Sequence, residues 1–199
     1  MKITKLKAVI KGIRPLLMHN GRLRDPLDPH SKALSSAVKK AKTSKADDDI
    51  LESQRTEFIG GFYFDEKCGP CIPADNLQAM LTEGARKRKL GKQVEALVQV
   101  TEPSDGAIGY KLEYKGSRDP EKMFEDERHR FTKSCKIGQS AVMRTRPRFP
   151  DWQLAFDIEI TEGGPTKEQI QEALEDAGLL IGLGDWTPRY GRFELVSLS

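Results

Sequence analysis

The segment Ala177–Phe193, AGLLIGLGDWTPRYGRF, constrains the fold more than any other stretch of the chain. Upstream, Thr166-Lys-Glu-Gln169 has the form of a capping box, in which a hydroxyl and an amide side chain satisfy free backbone groups at a helix start. Ile170, Leu174, Ala177 and Ile181 follow at helical spacing. Downstream, Phe193, Leu195, Val196 and Leu198 predict a closing strand. Three glycines, a proline, two aromatics and two arginines join the two elements. Glycine accepts positive φ and lets another backbone come close. Arginine forks onto phosphate, and Trp and Tyr offer flat faces for bases. Gly182, Gly184, Trp186, Arg189, Tyr190, Gly191 and Arg192 are therefore candidate nucleic-acid-binding residues. The same residues also read as a helix C-cap followed by a tight turn with packed aromatics.

Periodicity supplies the other elements. Ile3–Ile13 reads as a strand rich in β-branched residues. Arg24-Asp-Pro-Leu-Asp-Pro29 is irregular and extended, because each residue before a proline is pushed out of the helical region. Ser31–Ser44 and Ile50–Phe58 read as helices with a polar stretch between them. Phe62-Tyr-Phe64 and Cys71-Ile72 predict a short hairpin turning at Gly69-Pro70. Asp75-Asn-Leu-Gln78 has capping-box form, and Leu77, Met80, Leu81 and Ala85 share a helical face behind it. Val94–Val100 and Ile108–Tyr114 predict strands, and Asp119–Phe131 a short helix or ordered loop. Ile137–Thr145 and Trp152–Ile160 predict a hairpin around Phe149-Pro-Asp151. Within it Trp152, Leu154, Phe156, Ile158 and Ile160 alternate strictly, so one face is buried.

Setting aside residues 14–73 and 102–150 leaves strand, helix, two strands, helix, strand. That is a βαββαβ, ferredoxin-like (RRM-like) core of the α+β class, here a single domain over residues 1–199 with two large insertions. Modules of this fold bind RNA on the open sheet face and its loops.

Charge narrows the partners. The net charge is only +3 with 32% charged residues, so a nucleic-acid site must come from local clustering. Arg144, Arg146 and Arg148 recur at spacing two, which on a strand points them to one side about 6–7 Å apart. Pro147 places them on an edge or exposed arm, where they either track phosphates or discourage aggregation. No apolar run is long enough for a bilayer span and MKITKLKAVIKG lacks a signal-peptide apolar region, so a cytoplasmic protein without a membrane partner is expected.

Chemistry beyond binding finds little support. Cys68-Gly-Pro-Cys71 has redox spacing, but the predicted turn lacks the helix N-terminus that lowers a catalytic thiol's pKa. With Cys135 and His129 it makes only half a zinc site. Cys135 reads as a small core residue and His129 as part of a solvated charged face. No metal, cofactor or catalytic residue is assigned. His19, in the irregular segment, joins the binding candidates as a stacking or surface group. His19, His30 or an aspartate of residues 24–29 would serve a metal-independent endoribonuclease, the alternative function.

Gly182-Leu-Gly-Asp-Trp-Thr-Pro-Arg-Tyr-Gly-Arg192 is similar to the glycine loop of the RAMP superfamily of CRISPR effector complexes. Cys71-Ile-Pro-Ala-Asp-Asn-Leu77 is similar to that family's entry into its first core helix. The resemblance is to the backbone subunits, which polymerise along guide RNA, and to small phage-encoded proteins with the same loop. It implies single-stranded RNA or DNA as ligand, a homo-oligomer or filament assembled head to tail, and other CRISPR-type subunits as partners. A phage protein that mimics or binds a host CRISPR complex is a further alternative. The family's cleaving members use a loop aspartate or a histidine, and none here matches closely enough to carry that role over.

Overall fold

The computed structural model describes residues 2–138 and 140–199. Met1 and Gln139 lie outside the described residues, the latter within the strand expected over 137–145. The strands are β1 (Ile3–Gly12), β2 (Leu16–Leu17), β3 (Phe64–Asp65), β4 (Gly69–Ile72), β5 (Val98–Val100), β6 (Tyr110–Lys111), β7 (Glu113–Tyr114), β8 (Arg130–Ile137), β9 (Ser140–Phe149), β10 (Trp152–Thr161) and β11 (Phe193–Leu198). The helices are α1 (Pro29–Ser44), α2 (Asp47–Gly60), α3 (Ala74–Lys87), α4 (Gly91–Leu97), α5 (Pro120–Glu125) and α6 (Lys167–Asp176). This is an α+β protein. Its elements gather into two compact units, one of residues 1–16, 63–115 and 150–199, the other of residues 17–62 and 116–149.

The first unit is built on a sheet of order β11-β1-β10-β5, every neighbouring pair antiparallel. Leu6, Ala8 and Ile10 of β1 and Leu154, Phe156 and Ile158 of β10 are buried. Leu77 and Leu81 of α3 and Ile170 and Leu174 of α6 complete this core. The two helices pack against each other where Gly84 lies on the backbone of Ala173, a contact that any Cβ at Gly84 would block. Residues 63–73 and 102–115 belong to this unit: Cys71 and Ile72 pair with Lys111 and Tyr110, and Tyr114 pairs with Trp152.

Several local expectations need correction. The turn of the β3–β4 hairpin is at residues 66–68, and Gly69-Pro70 lie on the returning strand opposite Asp65 and Phe64. Pro73, not Asp75, caps α3, and Gln78 is drawn off to β5, where its amide meets Val98 O and Val100 N at 3.3 and 2.7 Å. Most of Val94–Val100 is the end of α4, because Val94 and Val98 also satisfy helical spacing and Val98 N donates to Val94 O. Only Val98–Val100 pair with Ile158–Ile160.

In the second unit α1 and α2 form a helical hairpin, followed by α5 and the β8–β9 ribbon. The expected 137–145 partner of β10 is instead β9, and its partner is β8, with Arg130↔Pro147 through Ile137↔Ser140 in register. Phe58 stacks edge-on against Phe62 and Phe124 at 5.1 and 5.4 Å, and Phe62 against Phe149 at 6.2 Å. The guanidiniums of Arg55 and Arg130 lie 5.0 and 4.9 Å from the centre of the Phe124 ring. This unit therefore has its own aromatic core.

Candidate nucleic-acid interface

The capping box at Thr166 and Gln169 forms with both of its hydrogen bonds. Helix α6 then widens into a π-helical turn over Ala177–Ile181 and stops at Gly182, whose φ is 85°. The following loop is knitted to its own ends. Leu183 N donates to Gly191 O at 2.9 Å, and Tyr190 N to Trp186 O at 3.2 Å. Gly191 N donates to Pro15 O at 2.8 Å, and Ile13 N to Arg192 O at 2.8 Å. The loop is thus sewn to the chain leaving β1.

The three glycines separate here. Gly182 and Gly191 are buried and have positive φ. A Cβ on Gly182 would sit 2.9 Å from Tyr190 O, and one on Gly191 would strike the Leu183 carbonyl. Both are buried in the loop's internal fold, Gly182 as the helix C-cap and Gly191 packed on Leu183. Gly184, with φ of 87°, is the exposed one.

Around this frame lies an open cleft of about 430 Å³ lined by Arg14, Pro15, Pro188, Arg189, Tyr190 and Arg192. Three of its six lining residues are arginines. Arg14 and Arg189 are exposed, and Arg192 is half-buried with its Nε donated to Pro188 O at 2.9 Å. Among the described residues no carboxylate pairs with Arg14, Arg189 or Arg192. The Tyr190 ring lies 6.3 Å from that of Trp186, tilted by 50°. Both rings are half-buried, so each keeps some exposed surface.

Arg14 was missed by sequence reasoning, since only the β1–β11 pairing brings it to the loop. Trp152 fixes it, with Nε1 donating to Arg14 O at 2.9 Å. Its signal in the sequence is an arginine directly before Pro15, which holds it in extended backbone just past the first strand.

The sheet's exposed face offers bases no platform. Lys5, Lys7, Val9 and Lys11 of β1 stand opposite Glu159, Asp157, Ala155 and Gln153 of β10, and Lys5 pairs with Glu159 at 2.9 Å. None of these side chains is aromatic, which leaves the loop as this unit's candidate surface.

The remaining predicted residues lie in the second unit. Arg144 and Arg146 do point to one side of β9, but toward Glu57 of α2, whose carboxylate accepts from them at 3.1 and 3.0 Å and from Thr145 N at 2.9 Å. Arg146 is only 6% exposed and Glu57 only 5%. The exposed phosphate-tracking row is therefore corrected: Arg146 is buried, Arg144 half-buried, and Arg148 donates its Nε to Arg128 O at 2.8 Å. A buried charge persists only with a counter-charge and hydrogen bonds, and Glu57 supplies both. His19 is half-buried, between Met18, whose N donates to Pro147 O at 3.0 Å, and Asn20, whose N donates to Gly61 O at 3.0 Å. His129 is buried, not solvated, with Nδ1 2.9 Å from Arg148 O.

The Cys71 thiol is buried, and burial with the neighbouring Cys68 and Asp65 pushes its pKa up to about 12. Cys135 is half-buried on the β8–β9 ribbon. Among the described residues no group of three His, Cys, Asp or Glu side chains is placed to hold a metal ion, and no helix is long and apolar enough to cross a membrane.

No protein-family model matches the chain, and no curated protein matches it in sequence. Among solved structures it is similar to a chain in the cryo-EM structure of the Type III-B Cmr-β bound to cognate target RNA. The two are 15% identical with a TM-score of 0.51, and the match covers 100% of this chain and 60% of that one. The likeness is one of fold, and this chain spans about 60% of the length of the chain it resembles.

Proposed function

We propose that this protein binds single-stranded RNA, holding the phosphate backbone in the Arg14–Arg189–Arg192 cleft with Tyr190 and Trp186 beside it as stacking faces. One observation carries the reading: three arginines line one open cleft, and among the described residues none of them has a carboxylate ion-pair partner. Arginine forks suit phosphate oxygens, and an aromatic face accepts any base.

The sheet order β11-β1-β10-β5 with helices α3 and α6 is the order expected of a ferredoxin-like βαββαβ core, which supports placing the chain with the RAMP superfamily. The similar chain belongs to a structure bound to target RNA, which favours RNA over DNA as ligand. Other copies of this chain and CRISPR-type subunits are the protein partners that this reading proposes.

The test is anisotropy of labelled oligouridylate and oligothymidylate with wild type and with Arg189→Ala/Arg192→Ala. The variant should bind both weakly, and its plot of log affinity against log salt should be shallower by about 0.7 per lost phosphate contact. Unchanged affinity and slope would remove the cleft from the interface.

A metal-independent ribonuclease is the second reading, and it rests on His30. Burial, joined by Arg22, pushes the imidazole below its ordinary value against the pull of Asp28, which favours the neutral form a general base needs. RNA cleavage without added metal, lost in His30→Ala, selects it.

A further inference from the structure

Helix α1 distributes its charge unlike its neighbour. Its sequence PHSKALSSAVKKAKTS has four lysines and no carboxylate. Helix α2 is the reverse, with Asp47, Asp48, Asp49, Glu52 and Glu57 against Arg55 alone. At about 3.6 residues per turn, Leu34, Ala37, Val38 and Ala41 fall on one side of α1. They are half-buried, and α1 packs on α2. Lys32, Ser35, Ser36, Lys39, Lys42 and Thr43 fall on the opposite side, and all six are exposed.

Attraction between the two helices accounts for only one lysine. Lys40 lies to the side and pairs with Asp49 at 2.8 Å. Lys32, Lys39 and Lys42 point away from α2, and among the described residues none of them has an ion-pair partner. A merely solvated helix face usually mixes both signs at i, i+4 spacing, and like charges placed close together are destabilising. This face does the opposite, and between Lys32 and Lys39 it carries the short hydroxyl side chains of Ser35 and Ser36. Lys32 and Lys39 are about 10 Å apart along the axis, with Lys42 about 4–5 Å further on. A row of protruding ammonium groups with small hydroxyl donors between them suits a chain of phosphates.

We infer that the Lys32–Lys39–Lys42 face of α1 is a second phosphate-contact surface for single-stranded nucleic acid. The inference rests on the nucleic-acid reading above and extends it to the second unit. This face of the helix has no aromatic residue with which to stack a base, so the surface adds affinity without reading sequence.

The test uses the full chain with Lys32→Gln/Lys39→Gln/Lys42→Gln, which keeps good helix formers. Binding of oligouridylate and oligoadenylate is followed across a salt series. Affinity should fall equally for both, and the slope should become shallower by about 2, at about 0.7 for each of three contacts. The same decrement should appear in the Arg189→Ala/Arg192→Ala background. If circular dichroism shows helix loss in the triple variant, the three single variants replace it, each expected to shift the slope by about 0.7. If the lysine variants bind like wild type while the arginine variant fails, the stripe is only solvated and the cleft reading survives. If wild type binds neither oligonucleotide, both readings fall. If poly-L-glutamate displaces labelled RNA from wild type but not from the lysine variant as readily as unlabelled oligouridylate does, the stripe serves an acidic protein and the proposal is overturned.

Discussion

Arg144 and Arg146 stand at spacing two on a strand, and Arg189 and Arg192 at spacing three in a loop. The sequence presents both as basic clusters suited to phosphate, yet they end in opposite environments. Helix α2 delivers Glu57 to β9, and that strand donates three hydrogen bonds to its carboxylate. The loop carries one carboxylate, Asp185, but among the described residues it forms no ion pair with Arg14, Arg189 or Arg192, and these three arginines line one open cleft. The difference lies in what a distant element brings, not in the arginines or their spacing. A cation whose counter-charge arrives with the fold becomes structure, and one left without it stays available to a ligand.

The sharpest way to break this comparison is to remove Glu57. Glu57→Ala leaves the Arg146 guanidinium buried without its carboxylate and Thr145 N without its acceptor. Breaking a buried pair from one side costs about 3–5 kcal/mol. At about 2–4 °C per kcal/mol, the thermal midpoint should fall by roughly 6–20 °C. The Arg189→Ala/Arg192→Ala variant should melt within a few degrees of wild type, because Arg189 is exposed and Arg192 gives up one local hydrogen bond, to Pro188 O, and no ion pair. Similar midpoints for the two variants would mean that the clusters are not different in kind.

A smaller effect separates the glycines inside the loop. Gly191→Ala must place a Cβ against the Leu183 carbonyl at a φ of 71°, whereas Gly184→Ala carries the backbone cost of a positive φ, 87°, at an exposed position. That backbone cost is about 1–2 kcal/mol, and the Gly191 variant should exceed it in chemical denaturation. Equal losses would return Gly191 to the class of glycines kept open for a ligand.

How much of this was legible depends on whether burial is one-sided. Strand β10 alternates because one face meets the core, and the Thr166 box is local chemistry; both stand as the sequence predicts. Strand β8 was missed because the β8–β9 ribbon repeats no apolar face: Thr132 meets Thr145 through hydroxyls at 3.1 Å, and Lys133 stands opposite Arg144. The cap at Asp75 failed because the Gln78 amide it needed satisfies the backbone of β5. In the cleft, Arg189, Tyr190 and Arg192 were legible from composition. Arg14 was not, since only strand pairing carries it there. Arg146 was misplaced because spacing reports direction along a strand but not the charge waiting on the other side.

The smallest expected effect is a pH dependence confined to one unit. All three histidines, His19, His30 and His129, belong to the second unit, so the loop cleft has no histidine of its own. Burial of His30, with Arg22 adding to it and Asp28 opposing, lowers its pKa in the folded chain. Below an unfolded value of about 6.5 the unfolded chain takes up a proton that the folded chain resists. Stability is therefore highest above about pH 6.5 and declines as pH falls through the folded value, where the loss is complete. Asp126 acts in a separate, lower window: hydrogen bonds from Arg128 hold its carboxyl at about 2, so its contribution is present above its unfolded value and disappears as pH falls toward 2. Thermal midpoints measured from pH 8 down to pH 5 should decline gently in wild type and less in His30→Asn. RNA affinity at the cleft should stay level over the range in which the protein remains folded. A midpoint profile unchanged by His30→Asn would remove His30 as the source. An affinity that falls with the midpoint would show that the two units are not independent in what they do.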